Sequence, residues 1–232
     1  MQAVILAAGQ GKRLRPLTDD VPKPLVQVGG RPILEYTLSI LPPEVDEVVL
    51  VVGYRGDAIR SHFGESFGRL KLSYIEQPLP LGTGEALQRA RPLLKSESFL
   101  VVYADDLYHP SDLIECVSDG PSILVKESET PERFGVCLVD EGDRLLGILE
   151  KRPDPPTNLV NIGVYFLNHA IFDIPPMFSP SGENNLSEQI GALAEREPIR
   201  VVRARFWHPI GYIEDVERAG RWLEVGPDER SN

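Results

Sequence analysis

The segment from Leu6 to Leu25, LAAGQGKRLRPLTDDVPKPL, carries residue types that hold phosphate. An apolar run, Val4–Ala8, closes at Gly9. Gly11, Lys12, Arg13 and Arg15 follow, and Lys23 comes ten residues after Arg13. Glycines at the carboxyl end of a strand let backbone N–H groups close around phosphate oxygens, because no Cβ blocks the approach. Arg13 and Lys23 can then neutralise phosphate charge. Taken alone, Gly9-x-Gly11 also fits an ordinary tight strand-to-helix turn. It does not have P-loop spacing, and it lacks the third glycine of the dinucleotide fingerprint.

Positioning such a loop requires a strand before it and a sheet around that strand. Val4–Ala8, Glu47–Val52, Leu70–Glu76 and Phe99–Ala104 read as buried strands. Between them, Ile33–Leu41, Gly56–Phe63 and Gly84–Leu94 read as helices, the last limited by Pro92. Ser111 is expected to cap the helix after the fourth strand. This strand–helix order predicts a largely parallel sheet with helices on both faces. The second half changes to strands with few helices: Ser122–Lys126, Gly135–Val139, Leu145–Glu150 and Val160–Leu167, with a hairpin turn at Glu141-Gly142-Asp143. A helix at Leu186–Arg196, a strand at Ile199–Phe206 and a helix at Ile213–Glu224 complete the pattern, with Pro-rich loops at 153–156 and 175–180. One domain over 1–232 is expected, an antiparallel lobe being added to the parallel sheet.

The composition narrows the partners. The 232 residues carry 24 Lys and Arg against 35 Asp and Glu, a formal charge of −11. That excess argues against non-specific binding to nucleic acid or to anionic membranes, while a local basic cluster can still hold a phosphorylated ligand. No apolar stretch approaches the roughly 20 residues of a membrane span. The two cysteines, Cys116 and Cys137, lie in apolar contexts and read as buried thiols, and no Cys/His cluster has zinc spacing. His62, His109 and His169 read as surface positions, and Asp19-Asp20 as a solvated loop. A cytoplasmic enzyme fits these facts.

The opening segment as a whole closely resembles the signature of the sugar nucleotidyltransferase family: LAAG, then GxGxRLxPLT, then PKPL. The similarity continues through VGGRPIL at 28–34, QPLPLGTGEA at 77–86, Asp105, EKRP at 150–153, NIGVYF at 161–166 and WHPIGYIEDV at 207–216, so it covers essentially the whole chain. The resemblance implies a Rossmann-like (GT-A-like) three-layer α/β fold, with a mostly parallel mixed central sheet and a small antiparallel lobe. The nucleotide would lie over the carboxyl ends of the strands, where ligands of open α/β sheets bind. It also implies the reaction: a sugar's phosphate oxygen attacks the α-phosphorus of a nucleoside triphosphate and pyrophosphate leaves. The chain stops soon after the family's final helix, so no C-terminal β-helix domain is expected. A homo-oligomer is expected by resemblance alone.

By the same resemblance, Arg13 matches the catalytic arginine and Lys23 a phosphate-contacting lysine, while Asp105 matches the Mg2+-binding aspartate; a carboxylate is a suitable hard ligand for that ion. Leu6, Ala8, Gly9, Gly11, Gln77, Gly82 and Thr83 fall on nucleotide-binding positions. Gln77 carries both donor and acceptor, so it can read the N3–H and O4 of uracil or thymine, which favours UTP or dTTP. Glu150 and Lys151 match the pair that holds the sugar hydroxyls and the sugar's phosphate, with Gly135, Asn161 and Val164 beside the sugar. Glucose 1-phosphate is the first expectation for the acceptor, although short relatives also use CTP or GTP and other acceptors.

One position departs from the pattern. The family commonly has W-x-D-I-G-T-P-E-D, whose Asp is the second metal ligand, whereas here Trp207-His208-Pro209-Ile210-Gly211 puts a proline there. Three readings follow. Asp105 and the triphosphate hold Mg2+ alone; Asp106 or His208 substitutes; or the chain is a catalytically silent nucleotide- or nucleotide-sugar-binding protein.

Overall fold

The computed structural model describes residues 1–179 and 182–224. Pro180, in the expected 175–180 loop, lies outside these, as do residues 225–232 of the expected domain. The chain runs β1 (Gln2–Ala7), β2 (Gln27–Val28), β3 (Arg31–Pro32), α1 (Ile33–Ser39), β4 (Glu47–Val52), α2 (Gly56–Phe63), β5 (Ser66–Phe67) and β6 (Leu70–Glu76). It continues through α3 (Thr83–Ala90), β7 (Ser98–Tyr103), β8 (Asp106–Tyr108), α4 (Pro110–Cys116), β9 (Ser122–Glu127), β10 (Gly135–Val139) and β11 (Leu145–Glu150). The remainder is β12 (Leu159–Asn168), α5 (Leu186–Ala194), β13 (Arg200–Arg203), β14 (Trp207–Pro209) and α6 (Ile213–Glu224).

β1 lies at the centre because its residues are apolar in both directions. Ala3, Ile5 and Ala7 pack on one face with Leu34 and Leu38 of α1, Ile59 of α2 and Leu113 of α4. Val4 packs on the other with Leu87 of α3 and Ile190 of α5. Successive side chains on a strand point to opposite faces, so an unbroken apolar run requires helices above and below. The result is three layers. β1 pairs in parallel with β4 on one side and β7 on the other, placing Ile5 between Leu50 and Val102, and β6 extends the sheet beyond β4. Because the chain leaves β1 toward β4 and later returns to β7, a crevice opens at the carboxyl ends of β1 and β7. The loops after those two strands carry Gly9 and Asp105.

The antiparallel strands join this sheet through β12, which pairs antiparallel with β7, with β9 and, at Val136↔Val160, with β10. β11 closes that edge, and the hairpin turn forms as expected: Asp140 Oδ1 accepts from the N–H groups of Gly142 and Arg144 at 2.8 and 2.9 Å. Several boundaries differ from the sequence expectation. The helix expected over Gly84–Leu94 stops at Ala90 and tightens into a 3-10 turn, Arg91–Leu93, around Pro92. Ser111 lies inside α4, whose cap is His109; its ring nitrogen Nδ1 accepts from the Ser111 N–H at 3.3 Å, and the residue is half-buried rather than a surface position. The last long strand ends at Arg203 instead of Phe206, and the chain then turns into the separate strand β14.

That turn is fixed by a buried charge. Asp112 of α4, with no exposed surface, accepts from the Arg205 N–H at 2.8 Å and from the Arg205 guanidinium at 2.7 Å. Both cysteines are free and buried, and burial pushes both thiols up to about 12, so neither is a reactive thiolate near neutral pH. No helix among the described residues is long and apolar enough to cross a membrane. Asp112→Ala should remove about 2 kcal/mol of stability, because the Arg205 N–H loses a charged acceptor while its half-exposed guanidinium returns to water. Urea unfolding measures it, and a loss below about 1 kcal/mol would contradict the role given to this carboxylate.

Candidate active site

The two glycines of the opening loop do different work. A side chain at Gly9 would meet nothing within 4 Å, so the backbone there is open to a ligand. Gly11 instead has φ of 62°, and a Cβ would stand 2.9 Å from the Lys23 Cβ and 3.0 Å from Thr18. Gly11 therefore lets the loop fold down onto the Lys23 segment, and the Thr18 hydroxyl ties it there by donating to the Gly11 carbonyl at 2.8 Å. Lys23, only 8% exposed, begins a short 3-10 turn, Lys23–Leu25, and donates from Nζ to Asp105 Oδ2 at 2.7 Å. The structure thus brings together Lys23 and Asp105, which lie 82 residues apart in the chain.

Arg13 is exposed and rests on the C-terminal segment. Its guanidinium carbon is 5.1 Å from the centre of the Tyr212 ring, and Arg133 covers the same ring at 5.0 Å. The hydrogen bond from Arg13, and next its charge, hold the Tyr212 phenol below its ordinary value. Gly211 stands beside this guanidinium, where a Cβ would make ordinary van der Waals contact at 3.9 Å. The sequence reading passed over Tyr212 and Arg133; the available signal was their place beside Gly211 and Gly135, in segments already matched.

The departure at position 209 acquires a geometry. β14 runs antiparallel to β8, with Pro209 opposite Asp106, the residue after Asp105. Asp106 is not a spare ligand: Oδ2 accepts from the Trp207 indole N–H at 2.9 Å and Oδ1 from the Ile210 N–H at 3.0 Å. Burial, and next the charge of Asp105, push its carboxyl up from the usual range. His208 Nε2 is 3.0 Å from the Asp215 carbonyl oxygen and is likewise engaged. Among the described residues no cluster of three or more His, Cys, Asp or Glu could hold a metal ion. The substitution of a ligand by Asp106 or His208 therefore finds no support.

On the nucleotide side, Gln77 is buried and lines a cavity of about 180 Å³ with Ala8, Gln10, Gly53 and Tyr54. Its Nε2 donates to the Gly82 carbonyl at 2.9 Å and to Glu85 Oε2 at 2.7 Å. Gly82, with φ of 99°, makes room for its own chain: a Cβ would stand 2.3 Å from the Asn184 carbonyl oxygen. The expected approach of a base to that glycine is thus replaced on one side by the 182–187 segment. Thr83 is also used internally, its hydroxyl accepting from the Leu186 N–H at 3.0 Å. Leu6 and Ala8 are half-buried at the mouth of β1. A larger cavity of about 660 Å³ lies beyond β8, between α1 and α6, and of the residues considered above Asp106 and His109 line it.

On the sugar side, Gly135 and Glu150 are opposite in register, and a Cβ on Gly135 would stand 2.8 Å from Glu150 Oε2 and 3.9 Å from the Asn161 Cβ. These three converge. Ser187 donates to Glu150 Oε2 at 2.9 Å, and Lys151, with φ of 45°, turns its exposed Nζ to 3.4 Å from Glu150 Oε1. Asn161 is bound to Tyr165 and to the Gly163 N–H, and the Tyr165 and Tyr103 hydroxyls are 3.3 Å apart, so a polar chain joins the two halves beneath the crevice. Val164 is a correction. It is fully buried in the core opposite Val102 and cannot turn its side chain to a sugar, because β12 is covered on both faces there.

Residues 2–224 match the family described as Nucleotidyl transferase. The chain belongs to that family. It is 33% identical over 226 residues to the "Bifunctional protein GlmU" of Methanocaldococcus jannaschii, covering 96% of this chain and 54% of that protein. The chain thus spans about half the length of the GlmU relatives it matches. To the "UTP--glucose-1-phosphate uridylyltransferase AglF" of Haloferax volcanii it is 33% identical, with 97% of both chains covered. Among solved structures, UDP-glucose pyrophosphorylase complexed with UDP-glucose superposes with a TM-score of 0.86 at 23% identity, covering 96% of this chain and 98% of that one. A putative glucose-1-phosphate thymidylyltransferase of Bacillus anthracis gives 0.83 at 20% identity, covering 97% of each. These structures share the mixed α/β fold described above.

Tyr212 yields a test of the Arg13 geometry. Tyr212→Ala removes both the ring and the hydroxyl that hold the guanidinium and should weaken nucleoside triphosphate binding about fivefold; Tyr212→Phe, which keeps the ring, should cost less. Calorimetric titration measures both, and equal affinities in all three proteins would mean that Tyr212 does not hold Arg13 for the ligand.

Proposed function

We propose that the chain transfers a nucleotidyl group from UTP or dTTP to a sugar 1-phosphate, with glucose 1-phosphate the first candidate, releasing pyrophosphate. The observation that carries this reading is the Lys23–Asp105 pair, 2.7 Å apart at the crevice between β1 and β7, beside the open Gly9 backbone. The Haloferax volcanii relative's name, UTP–glucose-1-phosphate uridylyltransferase, supports the donor and acceptor chosen.

The reaction sets anion against anion, so the protein's task is alignment and charge neutralisation. The open backbone at Gly9 accommodates the triphosphate, and Arg13 and Lys23 supply positive charge along it. Glu150 accepts from sugar hydroxyls, while the Lys151 ammonium meets the acceptor's phosphate. An oxygen of that phosphate bonds to the α-phosphorus as the bond to pyrophosphate breaks, and no proton need move to a protein side chain. Mg2+ fits this site with a single protein carboxylate. The Asp105 side chain is 41% exposed, and among the described residues only one of its oxygens is paired, to Lys23. Mg2+ commonly takes one or two carboxylates together with substrate phosphates. When bound there, it would supply further neutralisation of the triphosphate. The chain's charge of −11 argues against nucleic acid as a partner, and the reading places the reaction in the cytoplasm.

A second reading, a silent nucleotide-binding protein, rests on Pro209, which offers no side-chain oxygen opposite Asp106. Incubation with Mg2+, single nucleoside triphosphates and a panel of sugar 1-phosphates, followed by pyrophosphate measurement, separates the two. UTP or dTTP should give the highest turnover. Asp105→Ala should lower it about a hundredfold or more, and Pro209→Asp should preserve or raise it. Nucleotide binding without any pyrophosphate would establish the second reading, and unchanged turnover in Asp105→Ala would remove the metal assignment.

A further inference from the structure

Gln77 is the side chain expected to read the base, and a carboxamide can read in two opposite senses, presenting either its oxygen or its nitrogen. In this chain its surroundings decide the sense. The two protein groups within hydrogen-bond distance of its nitrogen, the Gly82 carbonyl at 2.9 Å and the Glu85 carboxylate at 2.7 Å, can only accept. Turning the amide over would set its oxygen against two other oxygens, one of them charged. Both N–H groups of Gln77 are thereby committed, and its Oε1 accepts no hydrogen bond among the described residues. The oxygen also retains solvent contact, since the one buried side-chain polar atom without a partner among the described residues is Thr37 Oγ1. Gln77 lines the cavity of about 180 Å³ beside Ala8 and Gly53, next to the phosphate loop.

Glu85 is itself held. It lies in the first turn of α3 with its side chain 19% exposed, and its other oxygen, Oε1, is paired with the Arg89 guanidinium one turn on. A first-turn glutamate in an i,i+4 ion pair has a sufficient helical rationale. That rationale does not explain why its second oxygen is directed at the amide of a base-reading residue on a different element.

We propose that Glu85 is a specificity-positioning residue: it locks the Gln77 carboxamide with its oxygen toward the cavity, so that the site selects a base that donates a hydrogen at that point. This rests on the nucleotidyl-transfer reading above and adds the determinant of donor choice. With the pyrimidine held so that ring position 3 faces Oε1, uracil and thymine offer an N3–H donor. Cytosine offers a bare lone pair to an oxygen that has no alternative orientation. Leaving a polar site group facing a repulsive partner is the strongest available source of discrimination between ligands of one size.

The test is calorimetric titration of UTP and CTP, with Mg2+, into the wild type, Glu85→Gln and Arg89→Met. Glutamine keeps the size of Glu85 but carries a donor of its own, so the charged one of the two acceptors that fix the Gln77 amide is removed and only the Gly82 carbonyl still opposes its reversal. The ratio of CTP to UTP dissociation constants should fall about tenfold, with UTP weakened and CTP strengthened, an amount typical of one hydrogen bond to a charged group. Arg89→Met, at an exposed position, frees the Glu85 carboxylate to turn and should lower the ratio about threefold. In steady-state kinetics the change for UTP should fall on KM more than on kcat, whereas a structural defect would lower the affinity for both nucleotides alike and leave their ratio intact. An unchanged ratio in both variants, or equal weakening of UTP and CTP, overturns the proposal while leaving nucleotidyl transfer standing. If Glu85→Gln does not fold, Arg89→Met decides by the same criterion. A wild type that binds neither nucleotide overturns the functional reading itself.

Discussion

The proposed transfer between two anions requires positive charge at one point on a chain that carries a net charge of −11. Everything about the crevice follows from that constraint. Lys23 is nearly buried, and a buried ammonium needs a partner; Asp105 supplies it at 2.7 Å. The pair can form because β1 and β7 are neighbours in the sheet, so the loops after them meet although they lie far apart in the chain. Gly11 then allows the loop to close over the Lys23 segment, where any Cβ would collide. Arg13, on the outside of the same loop, is left to the solvent and to the Tyr212 ring.

The C-terminal segment acts as the back wall of this arrangement. Asp112 turns the chain after β13, and Asp106 then grips both ends of β14 through the Trp207 indole and the Ile210 N–H. Ile210 and Ala219 join Leu14, Val26, Ile33 and Leu107 in a separate apolar cluster, which ties the phosphate loop to β8 and α6. Pro209 is tolerated because β14 belongs to a two-stranded ribbon, where an edge position does not need the missing N–H. Asp106, opposite Pro209, is engaged by Trp207 and Ile210, while the Asp105 side chain is 41% exposed.

The strands of the parallel sheet were legible because Val4–Ala8, Val48–Val52 and Phe99–Ala104 are continuous apolar runs, as expected of doubly covered strands. The short ribbons were not. β8 and β14 have three residues each, too few to show a period. Helix ends drifted where local chemistry intervened, as at Pro92. Arg13, Lys23, Asp105, Gln77 and Glu150 were recognisable from their motifs, while Val164, placed beside the sugar by resemblance, has a fully buried side chain, and a motif match does not say which face of β12 a residue occupies. Gly163, with φ of 79° and the Tyr103 ring against it, interrupts the regular alternation there.

The sequence by itself determined the fold class and the chemical inventory of the crevice. Periodicity and glycine-rich motifs are local properties, written into consecutive residues. Only the tertiary structure decided how the inventory is deployed. It pairs Lys23 with Asp105, engages both oxygens of Asp106 with Trp207 and Ile210, gives Tyr212 to Arg13, and sets Glu85 against the amide of Gln77. Each of these depends on which acceptors and donors meet across separate elements, and a hydrogen bond between distant residues leaves no mark in their spacing.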